Sequence, residues 1–185
     1  NMQNEAVQLT PLELPTKDTQ AVHLHFSFSQ LVTYLMCPMK YAHQYVYGTP
    51  WETRPAALPF GKAIHKTAES YYCTLVETGE ILPIDKLQDT FLAVFLGEAD
   101  KGDIPLSFKK GEDLETLRDM GKELVRLFHE HAQPQKIVAV EFPFSVKVPD
   151  LSTGGDLPVR LEGVFDLVES DSEKTYAVVE LKTAA

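Results

Sequence analysis

The chain has 185 residues, 44% of them hydrophobic and 24% charged. That balance fits one globular domain with at most an extension, and excludes collagen-like, disordered and membrane-spanning classes. A formal charge of −10, from 27 acids against 17 Lys and Arg, excludes a protein that coats nucleic acid by bulk electrostatics. It leaves room for a local basic patch beside carboxylates kept for a metal.

The longest apolar run, residues 91–96, is far too short to cross a bilayer, so no membrane partner is expected. Residues 1–9 carry neither a basic region nor an apolar stretch, and two cysteines cannot build a disulfide framework. The expected setting is therefore cytoplasmic.

Residues 1–22 are polar and broken by Pro11 and Pro15, and are predicted to lead into a domain over residues 23–185. Ser27 and Gln30 form a capping-box pattern, with Phe26 and Leu31 at the hydrophobic-staple positions, which predicts a helix ending near Met36. Cys37-Pro38 interrupts it, and Pro38 is suited to open a second helix to about Tyr47. Residues 48–59, with Pro50, Trp51 and Pro55, are predicted as loop. From Gly61 to about Glu77, Ile64, Ala68, Tyr71 and Leu75 make a helical stripe. His65 lies at its edge, next to a polar face of Lys62, Lys66 and Glu69. Two further amphipathic helices are predicted over residues 86–96 and 113–131.

After Pro134 the period changes from helix to strand. Val138, Val140, Phe142, Phe144, Val146 and Val148 occupy every even position of one strand. A Gly154-Gly155-Asp156 turn leads to a second strand over 159–168, and a polar loop to a third over 176–182. The pattern is a mixed α+β arrangement within the α/β class, a helical N-terminal half followed by an antiparallel three-strand meander. The meander is cut short after its third strand. That strand is expected to be an unprotected edge, covered by further chain in a longer native protein or by self-association along residues 176–181.

The last two strands put charge in awkward places. Glu180 and Lys182 share one strand face, opposite Val179 and Leu181, while Asp166 stands among Phe165, Leu167 and Val168. A hairpin centred near Glu173 sets Asp166 opposite Glu180, about 5 Å away. Two ionised carboxylates at that distance repel by about 3 kcal/mol at an effective dielectric near 20. A divalent cation reverses the sign. Two carboxylates, a strand carbonyl and waters make a hard-oxygen site for Mg2+ or Mn2+, and Lys182 beside it could hold or deprotonate an attacking water. The alternative is an exposed Glu180–Lys182 pair on an edge strand and a solvated Asp166.

Other residues also admit two readings. His65 is a ligand or a hydrogen-bonded helix-boundary histidine. Glu141, opposite the apolar row of the first strand, faces DNA, supports the site from behind, or is an ordinary polar strand residue. Between residues 38 and 66, Lys40, Arg54, Lys62 and Lys66 stand against one acid, Glu52. They form a phosphate-binding patch or a solvated helix face. Trp51, Tyr41, Tyr45 and Tyr47 stack on bases or pack. Cys73 reads as a core cysteine.

Four motifs in order carry a resemblance. Asp166 followed by Glu180-Leu181-Lys182 resembles the D…(D/E)-x-K signature of the PD-(D/E)xK nuclease superfamily. Residues 26–31 leading to Cys37-Pro38-Met39-Lys40-Tyr41 resemble the opening of its RecB-like branch, which includes the RecB and AddB nuclease domains and CRISPR-associated nucleases. Gly61 to His65 is similar to that branch's G-x-x-x-H motif, and Gly163 to Asp166 to its G-x-x-D strand. The resemblance implies a restriction-endonuclease-like core and Mg2+- or Mn2+-dependent hydrolysis of DNA, exonucleolytic, in repair, recombination or CRISPR defence. It implies Asp166, Glu180, the Leu181 carbonyl and His65 as metal ligands, Lys182 as the catalytic lysine, and a helicase or another repair or CRISPR protein as partner. Many members bind a [4Fe–4S] cluster through the cysteine matched by Cys37 and three later ones, which would need further chain here. The family's glutamine- and tyrosine-bearing helix would also follow Lys182. The rival reading is a non-catalytic DNA-binding or scaffolding domain of the same fold.

Overall fold

The computed structural model describes residues 24–134, 136–171 and 175–182, and of Leu24 the backbone alone. The predicted lead-in, 1–22, lies outside them. β1 (Leu24–Ser27) runs directly into α1 (Phe28–Met36) through the expected capping box. The Ser27 N–H donates to Gln30 Oε1 at 2.7 Å and the Gln30 N–H to Ser27 Oγ at 3.2 Å, so two otherwise orphaned donors are satisfied locally. Cys37 caps α2 (Pro38–Tyr41), its Sγ accepting from the Lys40 N–H. The second predicted helix then departs from α geometry and continues as a π-helical turn, Ala42–Val46.

The loop expected over 48–59 is shorter than predicted. β2 (Arg54–Pro55) pairs in parallel with β3 (Leu106–Ser107), and α3 (Ala57–Thr78) begins before Gly61. Pro59 sits in its first turn, where the missing N–H has no intrahelical partner to lose. α4 (Ile84–Ala99) and α5 (Leu114–His131) follow, the latter capped by Asp113 with Thr116. Phe60, Tyr71, Leu87, Phe91, Phe95, Leu117 and Val125 are buried between the three helices. Phe91 and Phe95 stack at 5.5 Å, and Phe60 meets both edge-on. Gly121 allows the closest approach of α5 to α4, since a Cβ there would lie 1.9 Å from the Phe91 ring.

The sheet is centred on β5 (Asp156–Ser170). β4 (Lys136–Pro149) runs antiparallel along one edge. The other edge is divided: β1 pairs in parallel with residues 159–162, and β6 (Tyr176–Val179) antiparallel with 167–170. The antiparallel β4–β5–β6 meander is present, but the sheet has a fourth, parallel strand that was not expected. The reason is distance along the chain: four residues before a helix cap carry no period, and their partner lies near the other end of the sequence. The architecture is a mixed α/β fold, with helices first and a mixed sheet behind them.

β4 also corrects the simple alternation. The register shifts between Ile137 and Ala139, and Glu141 has φ 49°, so the even row does not lie on one buried face. Ile137 and Val140 pack on the helical core, whereas Val138, Phe142 and Val146 are about half exposed. Among the described residues no helix is long and apolar enough to cross a membrane.

Candidate metal centre

α3 brings one imidazole to the sheet. Its buried face, including Ala63, Thr67 and Ala68, fixes the helix against the core and leaves His65 half-buried over β5. His65 Nδ1 lies 3.3 Å from Asp166 Oδ1. The second oxygen of Asp166 accepts the Leu181 N–H at 2.7 Å, so both ends of this carboxylate are oriented, and its side chain is only 14% exposed.

β4 supplies the third group. The pairs Val140–Leu167 and Phe142–Phe165 flank Glu141 and Asp166, which places those two acids opposite one another. Glu141 holds the left-handed backbone conformation, uncommon for a non-glycine residue in a strand and costing about 1–3 kcal/mol. One ligand atom from each of His65, Glu141 and Asp166 lies within 4.8 Å of the other two.

The surroundings are short of positive charge. Burial pushes the Glu141 carboxyl up, and Glu69 and Asp166 push it further, against the opposing pull of Lys66 and His65. Lys66 is itself engaged by Glu69, whose hydrogen bond raises the lysine above its ordinary value. Such a group gains most from a cation. One imidazole and two carboxylates are donors a divalent ion accepts, and the imidazole suits Mn2+ better than Mg2+. Ligands across an octahedral ion are about 4.2 Å apart, so atoms within 4.8 Å need only small side-chain adjustments. The residues fit the ion.

Glu180 and Lys182 are placed differently. The third strand stops at Val179, short of the expected Lys182, because the Leu181 N–H turns to the Asp166 carboxylate instead of continuing the ladder. The β5–β6 ladder ends at the pair Leu167–Val179, one residue short of Asp166 and Glu180, and the Glu180 side chain pairs with Lys182 in solvent, the two being 60% and 71% exposed. Glu180 does not belong to the three-residue group. Leu181 meets Asp166 through its N–H, where its carbonyl was expected to serve as ligand.

The four candidate DNA-binding cations have different surroundings. Arg54 donates to the carbonyls of Glu98 and Ala99 at 2.8 and 3.2 Å, closing the C-terminus of α4. Lys62 pairs with Glu98 at 3.0 Å and Lys66 with Glu69. Lys40 is exposed on α2. Three of the four cations thus hold acceptors within the protein, a pairing that charge counting along the chain could not show. Tyr41 packs against Tyr34 and Tyr45, while Tyr47 and Trp51 are exposed. Cys37 is an exposed cap of α2, and the two cysteines of these 185 residues do not supply the four thiolates of a [4Fe–4S] cluster.

Two residues owe their place to tertiary structure. Glu141 enters the metal-capable group, and its signal in the sequence is that it is the one charged residue between Lys136 and Lys147. Gly163 lies under the Phe144 ring, 2.7 Å from where a Cβ would stand, and that ring stacks on Phe165 at 4.5 Å. The glycine lets β4 and β5 meet closely beside Glu141 and Asp166.

A helical front, a mixed sheet, and an acid-and-histidine group at their junction define the class of a metal-capable α/β protein. The model of the PD-(D/E)XK nuclease superfamily matches residues 25–185, and the chain belongs to that superfamily. Comparison with curated proteins and with solved structures gave no match.

Proposed function

We propose that the chain is a divalent-metal-dependent deoxyribonuclease of the RecB-like branch, exonucleolytic, acting on DNA in repair, recombination or CRISPR defence. The observation that carries this reading is the convergence of His65, Glu141 and Asp166 from α3, β4 and β5 to within 4.8 Å, in a chain of a nuclease superfamily. These three would hold the ion, with Glu180 joining if the segment after β6 closes on it. When bound, Mg2+ or Mn2+ supplies charge neutralisation at the phosphate and lowers the pKa of a coordinated water.

The chain's own residues do the rest. Asp166 keeps its orientation through the Leu181 N–H and the facing His65. Glu141, whose burial favours the protonated form, gains its charge as a cation arrives. Lys182 lies two residues beyond Glu180 on an exposed segment, where its ammonium can reach a phosphate oxygen or hold a water.

A second reading, a non-catalytic DNA-binding or scaffolding domain, draws on the Glu180–Lys182 pair, which is directed to solvent and away from the three-residue group. The experiment is a titration of linear DNA cleavage against Mn2+ and Mg2+, with calorimetric metal binding on the same samples. Metal-dependent cleavage lost in Asp166→Asn supports the nuclease. DNA binding without cleavage at any metal concentration selects the scaffold.

A further inference from the structure

α3 carries a charged pair beside the metal group. His65 and Glu69 are one helical turn apart and lie on one side of the helix. Lys66 Nζ is ion-paired with a Glu69 oxygen, the acid side chain 26% exposed and the lysine 49%. The acid is the more sheltered partner, and the lysine stem has room to move. One turn further on stands Cys73, whose thiol is pushed up by burial and then by the carboxylates of Glu69, Glu77 and Glu141. Burial pushes the Glu141 carboxyl up, and among charges Glu69 acts on it most, followed by Lys66. The stripe of His65, Glu69 and Cys73 therefore runs past Glu141. The hydrogen bond to Glu69 raises Lys66, and Glu141 is the next acid that the ammonium feels.

Only one of these two acids is a candidate ligand. Glu141 places an oxygen within 4.8 Å of ligand atoms of His65 and Asp166, whereas Glu69 is outside that group. A lysine ammonium has three donors and no acceptor. On Glu141 it would take the oxygens that an ion needs and set a like charge beside that ion. The lysine's flexible four-carbon stem brings such a position within its range. In the structure Lys66 makes its ion pair with Glu69 instead, and Glu141 is left to face His65 and Asp166.

We propose that Glu69 is a positioning residue that holds Lys66 off Glu141 and so keeps the His65, Glu141 and Asp166 group open to a divalent ion. Lys66 is then an internal competitor of the metal, kept aside by one carboxylate. The inference rests on the reading of those three residues as metal ligands. The rival account is a plain field effect, in which Lys66 and Glu69 act as two remote charges. Remote charges are additive, so each changes metal affinity by the same factor whatever the other residue is. Competition for Glu141 makes the effect of Lys66 depend on whether Glu69 is present.

The test is a double-mutant cycle on the full chain, read by calorimetric Mn2+ titration at one salt concentration. Glu69→Gln is isosteric and leaves the packing of α3 in place. It should weaken Mn2+ binding by about 10- to 100-fold, the range for partners just outside a ligand set. Lys66→Met should change affinity by less than about fivefold, the effect of one exposed charge, because Glu69 already holds the ammonium. Lys66→Met added to Glu69→Gln should regain about tenfold or more of the loss, a rescue that no fold defect in the single variant would show. The same effect of Lys66→Met in both backgrounds would overturn the inference, as would Glu69→Gln binding Mn2+ like wild type. A wild type that binds no Mn2+ overturns the inference and the metal reading together. A DNA cleavage assay on the same samples separates the inference from the nuclease reading. Mn2+-dependent cleavage with an additive cycle overturns the inference alone, whereas the expected cycle without cleavage supports the inference and removes the nuclease reading.

Discussion

His65, Glu141 and Asp166 stand on long elements packed against a common interior, whereas Glu180 and Lys182 stand just past the end of a four-residue strand. The first group is half-buried and converges; the second is exposed and pairs with itself. Both regions border the same carboxylate, because the Leu181 N–H between Glu180 and Lys182 binds Asp166. Packing thus positions the costly part of the site, the acids that repel one another. The segment carrying the lysine lies past the end of β6, tied down through Leu181, whose N–H binds Asp166 and whose side chain packs on the core, while Lys182 itself is exposed.

The largest expected effect breaks the packed group. Asp166→Asn should weaken Mn2+ binding by more than about 100-fold, since even outer-shell partners of a metal cost 10- to 100-fold, and should abolish cleavage. Glu180→Gln in the same calorimetric titration should change Mn2+ affinity by less than about tenfold. Equal losses in the two variants would show that both regions act as one ligand set.

Next in size is the exposed side. Lys182→Met should slow cleavage by about 10²- to 10⁴-fold, the range for a positioned acid–base group, with Mn2+ binding kept. Loss of binding together with rate would give Lys182 a role in building the site instead.

Smaller effects belong to the packed interior. Gly121→Ala sets a methyl group into the Phe91 ring and should cost about 1–3 kcal/mol. The readout is the urea midpoint at unchanged slope. A midpoint equal to wild type would mean that α4 and α5 can part without cost.

The smallest effect is a pH dependence. Burial, with lesser pushes from Glu169 and Tyr71, raises the Tyr72 phenol to about 12 on the same helix as His65. The folded chain therefore holds this proton more tightly than the unfolded chain does. Its contribution is fully present below the ordinary tyrosine value of 10.0 and is lost as pH rises through about 12. Tyr72→Phe should flatten the fall in thermal midpoint across that window. An unchanged alkaline profile would place the phenol in contact with water.

Local features were legible because neighbouring residues decide them. The Ser27–Gln30 capping box, Pro38 at a helix start, the three long helices and the antiparallel pairing of the last two strands all follow from spacings of a few residues or one hairpin. His65 was marked by resemblance and by its place at a stripe edge, and the structure sets it beside Asp166. The partners of Arg54 and Lys62, the end of α4 and Glu98, were not legible because they are distant in sequence.

The order of elements, the switch from helix to strand period after Pro134 and the residue types able to hold a metal are all written in the linear chain. Which acids meet depends on folding in three dimensions. Glu141 reaches the site because the β4–β5 register sets it opposite Asp166, and β1 joins β5 through hydrogen bonds between segments far apart in sequence that share no local pattern. A period of two or 3.6 reports which face a side chain takes while the element stays regular. It is silent where a bulge breaks the element or where the partner lies far away in sequence.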